Sequence, residues 1–139
     1  MVHAVWCTKY RRPFLNDQIL PAVLDHIRIN ARRNGIHVDI INGHVDHVHA
    51  LIGLNTTLSI SKVIQLLKGE SAFWINRQNL LSDRFEWANE YFVVSIAPSE
   101  IYRVRAYILN QQIHHSTISF DREWAKFAAR YGVSVNMSV

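Results

Sequence analysis

Ile36-His37-Val38-Asp39-Ile40-Ile41-Asn42-Gly43-His44-Val45-Asp46-His47-Val48-His49-Ala50-Leu51-Ile52-Gly53-Leu54 is the stretch on which the fold turns. Ile36 to Val45 is rich in β-branched residues and reads as a strand, and His47 to Leu54 reads as a second. Only Asp46 lies between them, in a tight turn or bulge, and so short a gap favours an antiparallel hairpin. Successive side chains of a strand point to opposite faces, so His47 and His49 share one face while Val48 enters the other.

Working outward, Gly35 supplies the stop of a preceding helix that Asn16 or Asp17 can cap. Pro21 falls in its first turn, and Ile19, Leu20, Val23, Leu24, Ile27 and Ala31 recur at helical spacing. Before it come a strand from Val2 to Thr8 and a polar loop from Lys9 to Asn16. After the hairpin, Ser59 or Ser61 caps a helix with Ile60, Val63, Ile64 and Leu67 as its apolar stripe, continuing past Gly69 toward Arg77. Gln78 to Asn89 reads as irregular and Tyr91 to Ile96 as a strand. Ser99 is the expected cap of a helix to about His115, and Asp121 of a last helix ending before Gly132. The order strand, helix, strand, strand, helix, strand, helix predicts an α+β domain, a ferredoxin-like antiparallel sheet with helices packed on one face. No internal repeat or long linker divides the chain, so residues 1–139 are expected to form a single domain.

The totals agree with a globular chain: 49% of the 139 residues are hydrophobic and 19% charged. No apolar run is long enough to cross a bilayer and the N-terminus lacks a signal-peptide layout, so no membrane partner is expected. Cys7 is the single cysteine. It excludes an internal disulfide framework and a cysteine-rich zinc site, and a reducing, cytoplasmic compartment is expected. The formal net charge of +4 is compatible with a polyanionic partner. Lys9, Arg11 and Arg12 cluster around Tyr10; Lys62, Lys68 and Arg77 lie on the second helix, and Arg103 and Arg105 on the third. These can track phosphates or simply form solvated helix faces.

Two imidazoles about 6.5 Å apart along a strand, at roughly 3.3 Å per residue, can converge on one cation. They can equally be hydrogen-bonded surface residues. The helix after Ser99 adds further candidates. Ile101, Val104 and Ile108 form its apolar stripe, and Arg103, Tyr107, Gln111 and His114 share an adjacent face. An amide oxygen can complete an open metal site and a phenolate can attack phosphorus, whereas a helical tyrosine can also simply pack at the core margin. His44 reads as structural, and His3, His26 and His37 as surface or strand-edge residues. There is no His-Glu-x-x-His helix, glycine-rich phosphate loop or Gly-x-Ser-x-Gly turn.

Taken together, Val5-Trp6-Cys7-Thr8-Lys9-Tyr10-Arg11-Arg12-Pro13, Asp46-His47-Val48-His49, Leu66-Leu67-Lys68-Gly69 and Tyr107-Ile108-Leu109-Asn110-Gln111 resemble the single-tyrosine HUH transposases, the IS200/IS605-like family. The resemblance implies that His47 and His49 bind a divalent metal, Mg²⁺ or Mn²⁺, that Gln111 completes that site, and that Tyr107 is the nucleophile. It implies a homodimer acting on single-stranded DNA with a hairpin, each site able to combine the histidines of one subunit with the tyrosine helix of the other. Lys9, Arg11, Arg12, Lys62, Lys68, Arg103 and His114 are then the candidate DNA contacts. Cleavage would pass through a 5′-phosphotyrosine and need no nucleotide cofactor. A non-catalytic nucleic-acid-binding module and a domesticated nuclease of repeat hairpins are the alternatives.

Overall fold

The computed structural model describes residues 1–55 and 57–111, together with positions 122, 125 and 126. The chain runs β1 (Val2–Thr8), α1 (Leu20–Arg33), β2 (His37–His44), β3 (His47–Gly53), α2 (Ile60–Arg77), β4 (Trp87–Ser95) and α3 (Ile101–Leu109). The four strands form one sheet in the order β2-β3-β1-β4, every neighbour antiparallel. This is the ferredoxin-like arrangement. His114, the Asp121 cap and most of the expected last helix lie outside the described residues; the described positions 122, 125 and 126 are helical.

Local chemistry explains most boundaries. The Asn16 side chain accepts from the Gln18 and Ile19 amides and opens the turn into α1. At the other end Gly35 takes a φ of +70°, and the Ile36 amide reaches back to the Ala31 carbonyl at 2.9 Å. That is a Schellman closure, which a side chain at Gly35 would strain. Ser59 caps α2 by accepting from the Lys62 amide at 3.2 Å. The hairpin closes through Val45 and Asp46 alone, confirming the tight turn.

Strand parity sorts the core. Val2, Ala4, Trp6, Val48, Ala50 and Ile52 face α1 and α2, where they meet Val23, Ile27, Ala31, Ile64, Leu67 and Ile75 in one apolar cluster. α1 and α2 thus share a face as expected. α3 lies across the opposite face, with Val104 and Ile108 against Leu51 and Ile96. The two central strands require this second cover, because β1 is buried at all seven positions and β3 at six of its seven.

Two boundaries differ from the sequence reading. β4 begins at Trp87, inside the stretch read as irregular, because Trp87 pairs with Thr8 and its indole N–H donates to Ser71 Oγ at 2.9 Å. A register shift between Trp6 and Thr8 breaks the alternation that would have revealed the strand. Before α3, Pro98–Glu100 forms a 3₁₀ turn with no side-chain cap, so Ser99 does not play the expected part.

α3 is tied to β2 by polar contacts. The Arg105 guanidinium donates to both carboxylate oxygens of Asp39, one at 2.9 Å. Asn42 Nδ2 donates to the carbonyls of Ile108 and Leu109, both at 3.0 Å, satisfying carbonyls that the helix end leaves open. Asp39 is the extra residue of a bulge, since Val38 pairs with Ile52 and Ile40 with Leu51. The bulge resets parity: Val38 joins the cluster under α1, and Ile40 joins the one under α3.

Candidate active site

β3 carries His47 and His49 on the face that α3 covers, and both are fully buried, as is Gln111 at the end of the tyrosine helix. The imidazole rings of His47 and His49 are 5.1 Å apart, nearly perpendicular at 78°. Gln111 Oε1 stands 3.1 Å from His47 Nε2, closing a separation of 64 residues in sequence. The Tyr107 ring lies 5.5 Å from His49 and 6.1 Å from the ring of His3, edge-on to both. Its hydroxyl oxygen is buried. The structure therefore brings together all four residues singled out for catalysis and metal binding.

Each strand histidine is held from behind. His47 Nδ1 lies 2.7 Å from Asp46 Oδ1, and the other Asp46 oxygen is 3.6 Å from Arg11 Nε. His49 Nδ1 lies 2.9 Å from His3 Nε2. Burial pushes the His47 pKa down, against the opposing pull of Asp46, and burial holds His3 down at about 3. Both rings are thus neutral near pH 7. A carboxylate only accepts, so the His47 proton sits on Nδ1 and its Nε2 lone pair faces the Gln111 oxygen.

That geometry suits a divalent cation. His47 Nε2 and Gln111 Oε1 stand 3.1 Å apart, and an imidazole nitrogen and an amide oxygen are both donors that such an ion would accept. No group of three or more His, Cys, Asp or Glu side chains is placed to hold a metal among the described residues. Gly43 gives the hairpin its tight closure, since a Cβ there would come within 2.5 Å of the His47 carbonyl oxygen.

The candidate DNA contacts do not gather around this centre. Arg11 is nearest, through Asp46. Lys9 pairs with Glu86 at 3.0 Å, and the Arg12 guanidinium sits over Phe14. Lys62 is exposed on the first turn of α2, and Arg103 is exposed on α3. The Lys68 ammonium donates to the Ala88 and Asn89 carbonyls, and burial lowers its pKa. Lys9 and Lys68 line a groove of about 630 Å³ between α2 and β4, alongside Phe73 and Tyr91 and away from the histidines.

Two residues of the site escaped the sequence reading. His3, read as a surface or strand-edge residue, is fully buried against His49. Its role follows only once β1 is known to lie beside β3, with Val5 opposite His49 and His3 diagonal to it. Asp46 was read as a turn residue, and the turn is what aims its carboxylate at His47. His26, also read as peripheral, is partly buried, stacked on Trp74 at 4.1 Å and bonded to Glu70.

Fold and site lead to a class, and the class to a family. Residues 1–111 match the sequence pattern described as "Transposase IS200 like". The chain belongs to this family of transposases, enzymes that cut and transfer DNA. It is 26% identical over 114 residues to the ISDra2 transposase TnpA of Deinococcus radiodurans, covering 78% of this chain and 81% of that protein. A crystal structure assigned as a transposase of Deinococcus radiodurans R1 superposes with a TM-score of 0.64 at 28% identity, over 79% of this chain and 88% of that one. A REP-associated tyrosine transposase solved on a REP hairpin superposes with a TM-score of 0.63 at 15% identity, over 99% and 87% of the two chains, a likeness of fold. No helix among the described residues is long and apolar enough to cross a membrane.

Proposed function

We propose that this transposase cleaves and rejoins single-stranded DNA at hairpin-bearing ends, with Tyr107 as nucleophile and His47, His49 and Gln111 as ligands of Mg²⁺ or Mn²⁺. The observation that carries the reading is the convergence of a helical tyrosine and glutamine on two buried strand histidines 64 residues earlier at Gln111 and His47. A bound divalent cation would supply positive charge to the nonbridging oxygens of the scissile phosphate. The hairpin held by one structural neighbour supports a hairpin substrate.

The chain's own residues account for the rest. Asp46 and His3 hold the two imidazoles, and α3 delivers Tyr107 and Gln111 together. In cleavage, a Tyr107 O–P bond forms as the P–O3′ bond breaks, and the phenolic proton passes to solvent while the departing 3′ oxygen takes one up. Free tyrosine loses its proton only near pH 10, so a neutral phenol needs assistance to act as a nucleophile. The 5′-phosphotyrosine conserves the phosphodiester energy, and a second 3′-hydroxyl attacks it to reseal the strand without a nucleotide cofactor.

The Tyr107 hydroxyl is buried, so a phosphate reaches it only when the residues around it shift. A homodimer that exchanges tyrosine helices would supply such a shift. Lys9 and Lys68, beside Phe73 and Tyr91, line a groove whose cationic and aromatic mix suits an unpaired strand.

Folded single-stranded hairpins incubated with the protein and Mn²⁺ should give an adduct that survives denaturation and maps to Tyr107. Tyr107→Phe should abolish it. Hairpin binding by metal-loaded protein with no adduct, across a broad hairpin pool, would instead identify a non-catalytic binding module.

A further inference from the structure

The two metal-facing histidines are supported from behind by different partners. Asp46 can only accept, so it admits one tautomer of His47. His3 presents a ring nitrogen that can either accept or donate, so the 2.9 Å contact between His3 Nε2 and His49 Nδ1 has two possible proton positions. With the proton on His3 Nε2, His49 Nδ1 is the acceptor and its own proton sits on Nε2, where it blocks coordination. With the proton on His49 Nδ1, His3 Nε2 accepts and the His49 Nε2 lone pair is available.

We propose that His3 is a positioning residue that fixes His49 as the Nδ1–H tautomer, so that both strand histidines present Nε2 to the same point. The inference rests on the metal-site reading above and adds to it a residue from β1. Three features support it. Both rings are fully buried, so water does not compete for the shared proton. His49 Nδ1 is occupied by His3, leaving Nε2 as the nitrogen that can coordinate. The rings are inclined at 38° with centroids 5.1 Å apart, which suits an edge-to-edge hydrogen bond between imidazoles and excludes a face-to-face stack. Partners that orient a ligating imidazole from its far nitrogen change metal affinity by about 10- to 100-fold when removed.

The tautomer can be read without metal. Imidazole ¹H–¹⁵N spectra of the intact chain in chelator, with His49 assigned by its loss in His49→Asn, should show His49 protonated on Nδ1. His3→Gln keeps an acceptor near the same place and should preserve that signature, with Mn²⁺ affinity within a few fold of the parent. His3→Leu should move His49 toward a mixed tautomer and weaken Mn²⁺ binding by about 10- to 100-fold. His49 protonated on Nε2 in the parent would overturn the inference, as would a folded His3→Leu variant keeping both the Nδ1–H signature and the affinity. Should His3→Leu fail to fold, the parent and His3→Gln spectra still decide. A parent chain with the Nδ1–H signature that binds no Mn²⁺ would sink the metal-site reading and leave the His3 pairing standing.

Discussion

Val2, Ala4, Trp6, Val48, Ala50 and Ile52 turn one face of the sheet toward α1 and α2, whereas His3, Val5, His47, His49 and Leu51 turn the other toward α3. The first face is continuous hydrocarbon. The second holds three buried imidazoles and a small apolar cluster, Leu51, Ile96, Val104 and Ile108, and the helix above it is only nine residues long. α3 is held both by the Asp39 and Asn42 tethers and by the burial of Val104 and Ile108. The same two strands thus serve a face that supplies the main core and a face that carries the proposed site, separated by nothing more than odd and even positions.

The largest effect expected from this division is on global stability. Ile27→Ala, in the α1 layer, should lower the unfolding free energy by about 2–5 kcal/mol. Ile108→Ala removes an equally buried side chain from α3. It should cost less in denaturant melts, because the helix can release locally, while reducing tyrosine-adduct formation more than Ile27→Ala does. Equal losses in both assays would erase the distinction between the faces.

Acid sensitivity is the next effect. His3 titrates near 6.5 when unfolded and at about 3 when folded. Between those values the unfolded chain binds more protons, so this contribution is complete above about pH 6.5 and declines as pH falls toward 3. In chelator, stability should fall steadily with pH in that window through His3, with His47 adding in the same direction. His3→Gln should flatten the slope, and a slope unchanged by it would show that the chemical face is not the origin.

The smallest effect concerns the tether. The Arg105–Asp39 pair is partly exposed, so Arg105→Ala should cost under about 1 kcal/mol globally. Its signature should be local: faster amide exchange in α3, with α1 and α2 unchanged.

The hairpin, both long helices and the pairing of His47 with His49 were legible because they depend on local periodicity, capping groups and a tight turn. The grouping of Tyr107 with Gln111 followed from helical spacing. What stayed hidden depends on which strands become neighbours. His3 is one histidine in a short apolar strand until β3 lies beside it. The bulge at Asp39 puts Val38 and Ile40 on opposite faces, and only the pairing of β2 with β3 reveals it. Trp87 went unread as a strand residue because β4 departs from alternation where it meets Thr8. The assignment of α3 to the second face was implicit in the unbroken burial of β1, a property of the assembled sheet.

Tyr10 and Arg11 carry φ angles of +57° and +54°, a left-handed pair in which neither residue is glycine. Each such residue costs about 1–2 kcal/mol of backbone strain. Thermostability selection on this protein should therefore enrich glycine or asparagine at these two positions early. The same substitutions would remove the exposed Tyr10 ring, and at position 11 the guanidinium that backs Asp46. Engineering for robustness and engineering for turnover would pull this loop in opposite directions, so heat-selected variants carrying changes there need their activity assayed before they replace the parent.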